Sequence, residues 1–270
     1  MKRMMTAATL AVAPLALTLS LAAPAEAQST RTTSFVSING NDSNQCFAAT
    51  PCRTLQRAID LLAANGTVIV LTAGEYDEIK ITRGINIMAE GVGAVIVSQA
   101  VGIQINVENN QRVLISGLSV VGRGGLCGIL IEEGRDVHLK NLTVANFNRS
   151  DRTDVFGIDI DGSATNDVEI NLENVTLANN KGGLRVIAPI GSSKFVRANI
   201  YRSVIDANIP SGSAGSNIVV DGSRASVRLS DSMLSGAKAW TLENGGEIFS
   251  FGNNTIVGNA TPDATPLPLK

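Results

Sequence analysis

The chain is poor in aromatic residues, which make up 4% of its 270 positions, with one tryptophan and two tyrosines. A thick globular core is normally filled by large aromatics. Their scarcity, beside plentiful Val, Ile, Gly and Asn, points to a thin core of β-branched side chains separated by turn-formers. Histidine occurs once, as His138, and cysteine three times, too few to assemble a zinc site. No glycine-rich nucleotide loop and no nucleophile elbow is present. Basic residues do not outnumber acidic ones, and the net charge is −2. That balance excludes a nucleic-acid binder, which needs a basic face. Beyond the first 27 residues, no apolar run is long enough to span a bilayer.

What is there begins with Met1-Lys2-Arg3, then an apolar stretch to about Ala23, then Pro24-Ala25-Glu26-Ala27. Ala25 and Ala27 fit a small-x-small cleavage site, so residues 1–27 read as a signal peptide. The alternative, a membrane anchor, lacks a basic stop-transfer flank. Cleavage near Ala27 would deliver an extracytoplasmic chain with net charge near −3, large enough for one domain with its own core. In an oxidising compartment Cys46 and Cys52, six apart, form a local disulfide. Cys127 is left over as a buried free thiol. Residues 28–66 are read as an N-terminal lead-in, disulfide loop and capping helix. Within it Thr54 caps a helix over 54–64 with Leu55, Ala58, Ile59 and Leu62 on one face, and Asn65-Gly66 ends it.

From residue 67 to 259 the pattern changes to short β-runs that repeat. One unit starts with Gly or a small or polar substitute and then alternates apolar residues. Its copies begin at Gly102, Gly128, Gly157, Gly183, Asn217 and Ala239. A second unit follows each copy, and the ends of successive second units lie 24, 33, 29, 28 and 23 residues apart. Such spacing, without crossover helices, predicts an all-β, right-handed parallel β-helix, a solenoid with a short N-terminal capping helix. A β-sandwich is the alternative, but it does not require in-register recurrence. Strand alternation points Ile129, Ile131, Ile158, Ile160, Leu184 and Val186 inward to stack on neighbouring coils. A turn ladder is expected through Gly117, Asn141, Asn174, Ser203, Asp231 and Asn254. Asn141 and Asn174 also lie in glycosylation sequons; the ladder is the preferred account of both. The proline-rich tail, 260–270, is expected to leave the last coil as a loose extension.

The run Ser37-Ile-Asn-Gly-Asn-Asp-Ser-Asn44, with Thr50-Pro-Cys-Arg-Thr-Leu-Gln-Arg-Ala-Ile-Asp60 and Gly66-Thr-Val-Ile-Val-Leu-Thr-Ala-Gly-Glu-Tyr76, resembles the opening of secreted pectate-lyase-like β-helix proteins. The resemblance implies the fold but no single activity, because that superfamily holds lyases, hydrolases, epimerases and non-catalytic members. Gly157-Ile-Asp-Ile-Asp-Gly162 is similar to one motif of its polygalacturonase-type hydrolases. The paired aspartates, Gly-His-Gly and Arg-x-Lys of those enzymes are missing here, which sets that reading aside.

Outward residues of the first unit line up in columns. Glu132, Asp159 and Asp161 are expected on adjacent coils, with Arg185 one coil further. Stacked carboxylates repel, so they should titrate high, pair with Arg185 or recruit a hard cation such as Ca²⁺. By analogy with β-helix lyases, Glu132, Asp159 and Asp161 would be calcium ligands and Arg185 the base or clamp. The plainer reading is a solvated face with a surface Asp159–Arg185 pair worth under about 1 kcal/mol. His138 alternates outward as either a general acid or base or an exposed sheet histidine. Tyr201 and Trp240 could stack on sugars, although Trp240 falls at an inward position. Two functions follow: a non-catalytic extracytoplasmic solenoid binding polysaccharide along one face, or a calcium-assisted lyase of acidic glycans. A third is a structural or adhesive envelope module. Nothing in the sequence sets an oligomeric state.

Overall fold

The computed structural model describes residues 31–108, 111–162, 166–206, 208, 216–236, 238–257 and 265–267. The signal-peptide segment lies outside the described residues. The chain opens with strand β1 (Thr33–Val36) and helix α1 (Leu55–Asp60). It then winds in coils of three strands. The first is β2 (Gly66–Val70), β3 (Gly74–Tyr76) and β4 (Ile79–Ile81), and the second β5 (Ile85–Met88), β6 (Ala94–Ser98) and β7 (Val101–Asn106). The third is β8 (Arg112–Ser116), β9 (Ser119–Gly122) and β10 (Cys127–Glu133). In the next two coils one long strand bends round a corner, giving β11 (Asp136–Ala145) with β12 (Phe156–Asp161), then β13 (Val168–Ala178) with β14 (Gly182–Ile187). Two three-strand coils follow: β15 (Val196–Tyr201), β16 (Val204–Asp206) and β17 (Ser216–Asp221), then β18 (Ala225–Ser230), β19 (Met233–Leu234) and β20 (Lys238–Glu243). β21 (Glu247–Phe251), β22 (Thr255–Ile256) and β23 (Thr265–Leu267) close the described chain.

All ladders between coils are parallel, and the result is a right-handed parallel β-helix. Face A stacks β1, β2, β5, β8, β11, β13, β15, β18, β21 and β23. Face B stacks β3, β6, β9, the second halves of β11 and β13, then β16, β19 and β22. Face C stacks β4, β7, β10, β12, β14, β17 and β20. On face C, Ile129 pairs with Ile158 and Ile158 with Leu184, all fully buried, as the alternation predicts. A matching row on face A runs Ile115, Leu139, Leu172, Ile200, and one on face B runs Val120, Val144, Leu177, Ile205. Burying each such side chain contributes roughly 1.5–3 kcal/mol. No coil closes this core alone.

The N-terminal end is sealed in two ways. The Cys46–Cys52 disulfide loop pairs with edge strand β1: Phe35 donates to Cys46 O at 2.9 Å, and Cys52 donates to Phe35 O at 3.0 Å. Helix α1 lays Leu55, Ala58 and Ile59 on the core, with Thr54 accepting from the Arg57 N–H as its cap. An exposed sheet edge is thereby covered. The helix is shorter than the sequence predicts and ends at Asp60. The backbone is drawn away from it, with Ala63 N–H going to Arg31 O and Asn65 N–H to Gly84 O.

The corner between faces A and B also corrects an expectation. Its left-handed column is Gly117, Asn141, Asn174, Arg202 and Asp231, all at positive φ. Arg202, and not Ser203, takes the turn, its guanidinium lying over Tyr201 and bonded to Glu173. Ser203 and Asn254 belong one place further on, with Ser232, where each side chain accepts a backbone N–H of the preceding coil at 2.9–3.1 Å. The Asn174 amide donates to Asn141 at 2.8 Å, so both sequon asparagines are engaged in the stack. The corner between faces B and C holds a second, fully buried stack. Asn180 accepts from Phe147 N–H and donates to Val144 O, and Asn208 accepts from Asn180 N–H. The tail is not loose throughout: β23 pairs in parallel with β21, Pro266 sitting on an edge where its missing N–H is tolerated.

Candidate functional site

Face C carries the residues singled out from the sequence. The column Gln104, Leu130, Asp159, Arg185, Val219, Thr241 is in register. Asp159 is only 6% exposed. Its two carboxylate oxygens are both taken by Arg185, Nε to Oδ1 at 2.8 Å and a terminal nitrogen to Oδ2 at 2.5 Å. The guanidinium also lies 4.8 Å from the centroid of Phe156. The pair is therefore a buried, two-point ion pair set between apolar Leu130 and Val219, not the solvated surface pair of the plainer expectation. Burial works against the charge on Arg185, and the bonds and charge of Asp159 outweigh it, so its pKa is raised.

Glu132 is displaced by a bulge in β10, where Ile131 pairs with Ile105 but Glu133, not Glu132, pairs with Asn106. Its carboxylate accepts from Gln104 at 2.7 Å and Asn106 at 3.4 Å. Asp161, exposed on the next coil, titrates above its ordinary value; partial burial is the main cause, then the charges of Asp159 and Glu132, with Arg185 opposing. The carboxylates are thus gathered, but with Asp159 closed on Arg185 they do not fit a calcium ion. Among the described residues no three His, Cys, Asp or Glu side chains converge as a metal site.

A raised carboxyl pKa means that ionising Asp161 costs the folded state. That cost is absent below the unfolded value of 3.8 and grows as pH rises above it. Asp161→Asn is therefore expected to raise the thermal midpoint at pH 7, the gain in unfolding free energy staying under about 1 kcal/mol because solvent screens the group. The gain should vanish near pH 3. A loss of stability at pH 7 would contradict this reading.

From Arg185 a shallow groove runs toward the later coils, lined by Thr153, Asp154, Phe156, Val219, Asp221 and Glu243. Its wall is the loop between β11 and β12. Buried Lys181 holds that loop by donating to the carbonyls of Arg149, Ser150 and Arg152. Cys127 is a buried free thiol whose pKa burial pushes well up, which makes it a poor nucleophile. Trp240 is 3% exposed and belongs to the core.

His138 stands on face A, paired with Asn171 on the next coil and 2.6 Å from Asp136. It lies far along the wrap from the face C residues, and the structure does not bring it to them. Of face A, the sequence singles out His138 but not the column it belongs to. That outward column runs His138, Asn171, Asn199, Arg228, Phe249. Two depressions flank that column. One is lined by Arg135, Asp136, Glu169 and Asn171, the other by Phe195, Arg197, Arg224, Arg228, Glu247 and Phe249 among others. Strict alternation in β15 and β18 was the signal that could have found it.

Comparison with known proteins agrees with this architecture. A family model described as a protein of unknown function (DUF1565) matches residues 38–83, the cap and first coil. The crystal structure of pectate lyase Pel9A superposes with a TM-score of 0.59 at 13% identity, over 89% of this chain and 75% of that one. A rhamnogalacturonan lyase gives a TM-score of 0.41 at 11% identity, over 88% and 84% of the two chains. No curated protein matches the sequence. The chain has the pectate-lyase-like β-helix fold, and at this identity the likeness concerns the fold alone.

Proposed function

We propose that this is an extracytoplasmic β-helix protein, released from its signal peptide near Ala27, that binds polysaccharide along the outside of the solenoid without cleaving it. The observation that carries the reading is the face A column His138, Asn171, Asn199, Arg228, Phe249. It offers hydrogen-bonding side chains and an aromatic ring at rung spacing, ~4.8 Å, about the height of one sugar ring. A linear glycan can follow such a column with one contact per coil, aromatic faces stacking on pyranose rings. The cysteine pair bonded as a disulfide suits an oxidising compartment. Among the described residues no helix is long and apolar enough to cross a membrane. Against catalysis on face C stands the Asp159–Arg185 pair, in which each group satisfies the other and neither is poised to move a proton.

The test is affinity electrophoresis of the protein through gels holding neutral or acidic polysaccharides, with and without calcium, alongside ultraviolet absorbance of the same mixtures. Retarded migration without new absorbance is expected. Growth of an absorbing unsaturated product would turn the reading to a lyase. No retardation by any glycan would leave a structural or adhesive module.

A further inference from the structure

We infer that the depression around Phe195 on face A binds an oxyanion group, a sulfate, phosphate ester or carboxylate carried on a glycan; this rests on the glycan-binding reading and adds the chemistry of its ligand. Three arginines line it, from two neighbouring coils: Arg197 on β15, Arg224 in the turn before β18, and Arg228 on β18. The Arg197 guanidinium lies 4.3 Å from the Phe195 ring centroid, and that of Arg224 lies 4.9 Å from the same centroid. One aromatic ring thus carries two cations. The backbone of Phe195 is anchored, its N–H donating to Asp167 Oδ1 at 3.0 Å.

Elsewhere on the surface, Arg112, Arg123, Arg149, Arg152 and Arg202 each reach a carboxylate, while among the described residues Arg135 does not. None of Arg197, Arg224 and Arg228 forms such a pair among the described residues. Two carboxylates were available. Glu169 lies opposite Arg197 on the preceding coil, and Glu247 opposite Ser226 on the following one. Glu169 instead accepts from Asn199 at 3.3 Å. Glu247 also lines the depression but forms no ion pair with the three arginines, so the lining keeps an excess of positive charge, three guanidinium groups against one carboxylate. A guanidinium held over an aromatic ring can still direct its N–H groups at an oxyanion, gripping it at two points. Phe249, on the coil after Arg228, offers a flat apolar surface beside the charges. A sugar ring with an anionic substituent meets both needs.

The experiment compares retardation by dextran sulfate and by plain dextran, with Arg197→Ala/Arg224→Ala, Arg228→Gln and, as a control on the same face, Arg112→Ala. Dextran sulfate should retard the parent protein more than dextran, and the difference should fall steeply with salt and with added inorganic sulfate. The double variant should lose at least tenfold in affinity and Arg228→Gln at least threefold, with Arg112→Ala unchanged. If the double variant fails to fold, Arg228→Gln, exposed and stacked on no ring, decides alone. An equal loss in Arg112→Ala, or none in the groove variants, would overturn the site. Arginine-dependent binding to phosphatidylglycerol vesicles but not to dextran sulfate would overturn it in favour of a membrane ligand. Failure here with neutral-glycan binding intact sinks this inference alone; failure with every glycan sinks the proposed function too.

Discussion

Gly128→Ala is expected to cost the fold about 3 kcal/mol or more, seen as a lower urea midpoint. An added Cβ would stand 2.3 Å from Val144 Cγ1, 2.4 Å from the Gly157 carbonyl oxygen and 3.0 Å from Phe147 Cε2. Val144 sits in a filled inward row and the Gly157 oxygen in the backbone of the next coil, so neither can retreat cheaply. The backbone at Gly128 is not left-handed, and the requirement is one of space rather than dihedral freedom. The same corner is tight at Gly102 and Gly183, whose Cβ atoms would meet the next coil's carbonyl oxygen at 2.7 and 2.4 Å. This explains why the repeating unit opens on glycine. Gly252→Ala is the control: no atom lies within 4 Å of its added Cβ, and a change within about 0.5 kcal/mol is expected. A loss under about 1 kcal/mol in Gly128→Ala would show that the corner opens freely and that the glycine column has another cause.

Removing one partner of the Asp159–Arg185 pair should be nearly as damaging. Asp159→Ala leaves the guanidinium half-buried against Phe156, with apolar Leu130 and Val219 on either side of the pair. An uncompensated charge in such a place costs about 3 kcal/mol. Replacing both, as Asp159→Leu with Arg185→Leu, continues the apolar column and should return stability to within about 1 kcal/mol of the parent. Chemical denaturation of the three variants measures this coupling directly. If Asp159→Ala lost less than about 1 kcal/mol, the pair would be the solvated bridge that the sequence pattern first suggests.

The Asp159–Arg185 pair marks where reading from the sequence stopped. Alternation correctly placed both side chains on the outer surface of face C and in one column. It could not foresee that Phe156 and the loop held by Lys181 would cover them, because loop course depends on hydrogen bonds to residues some 30 positions away. Glu132 was placed on the right coil but a bulge shifts its pairing, and a bulge leaves no mark in period-2 alternation. Arg202 took the turn position assigned to Ser203 because register down the stack, not the preference of a single residue for turns, fixes which side chain occupies a corner. The arginine groove of face A was equally hidden: its three members come from separate segments, and only their common neighbour Phe195 joins them.

By itself the sequence determined the coiled architecture, the inward rows of Ile, Leu and Val, the Cys46–Cys52 bond and the buried state of Cys127. These follow from local alternation and recurring turns, which read the same in every coil. Only the tertiary structure decided which outward columns are covered, which charges find partners and which do not. Those outcomes arise between coils, where stacking brings together side chains that the chain itself keeps far apart.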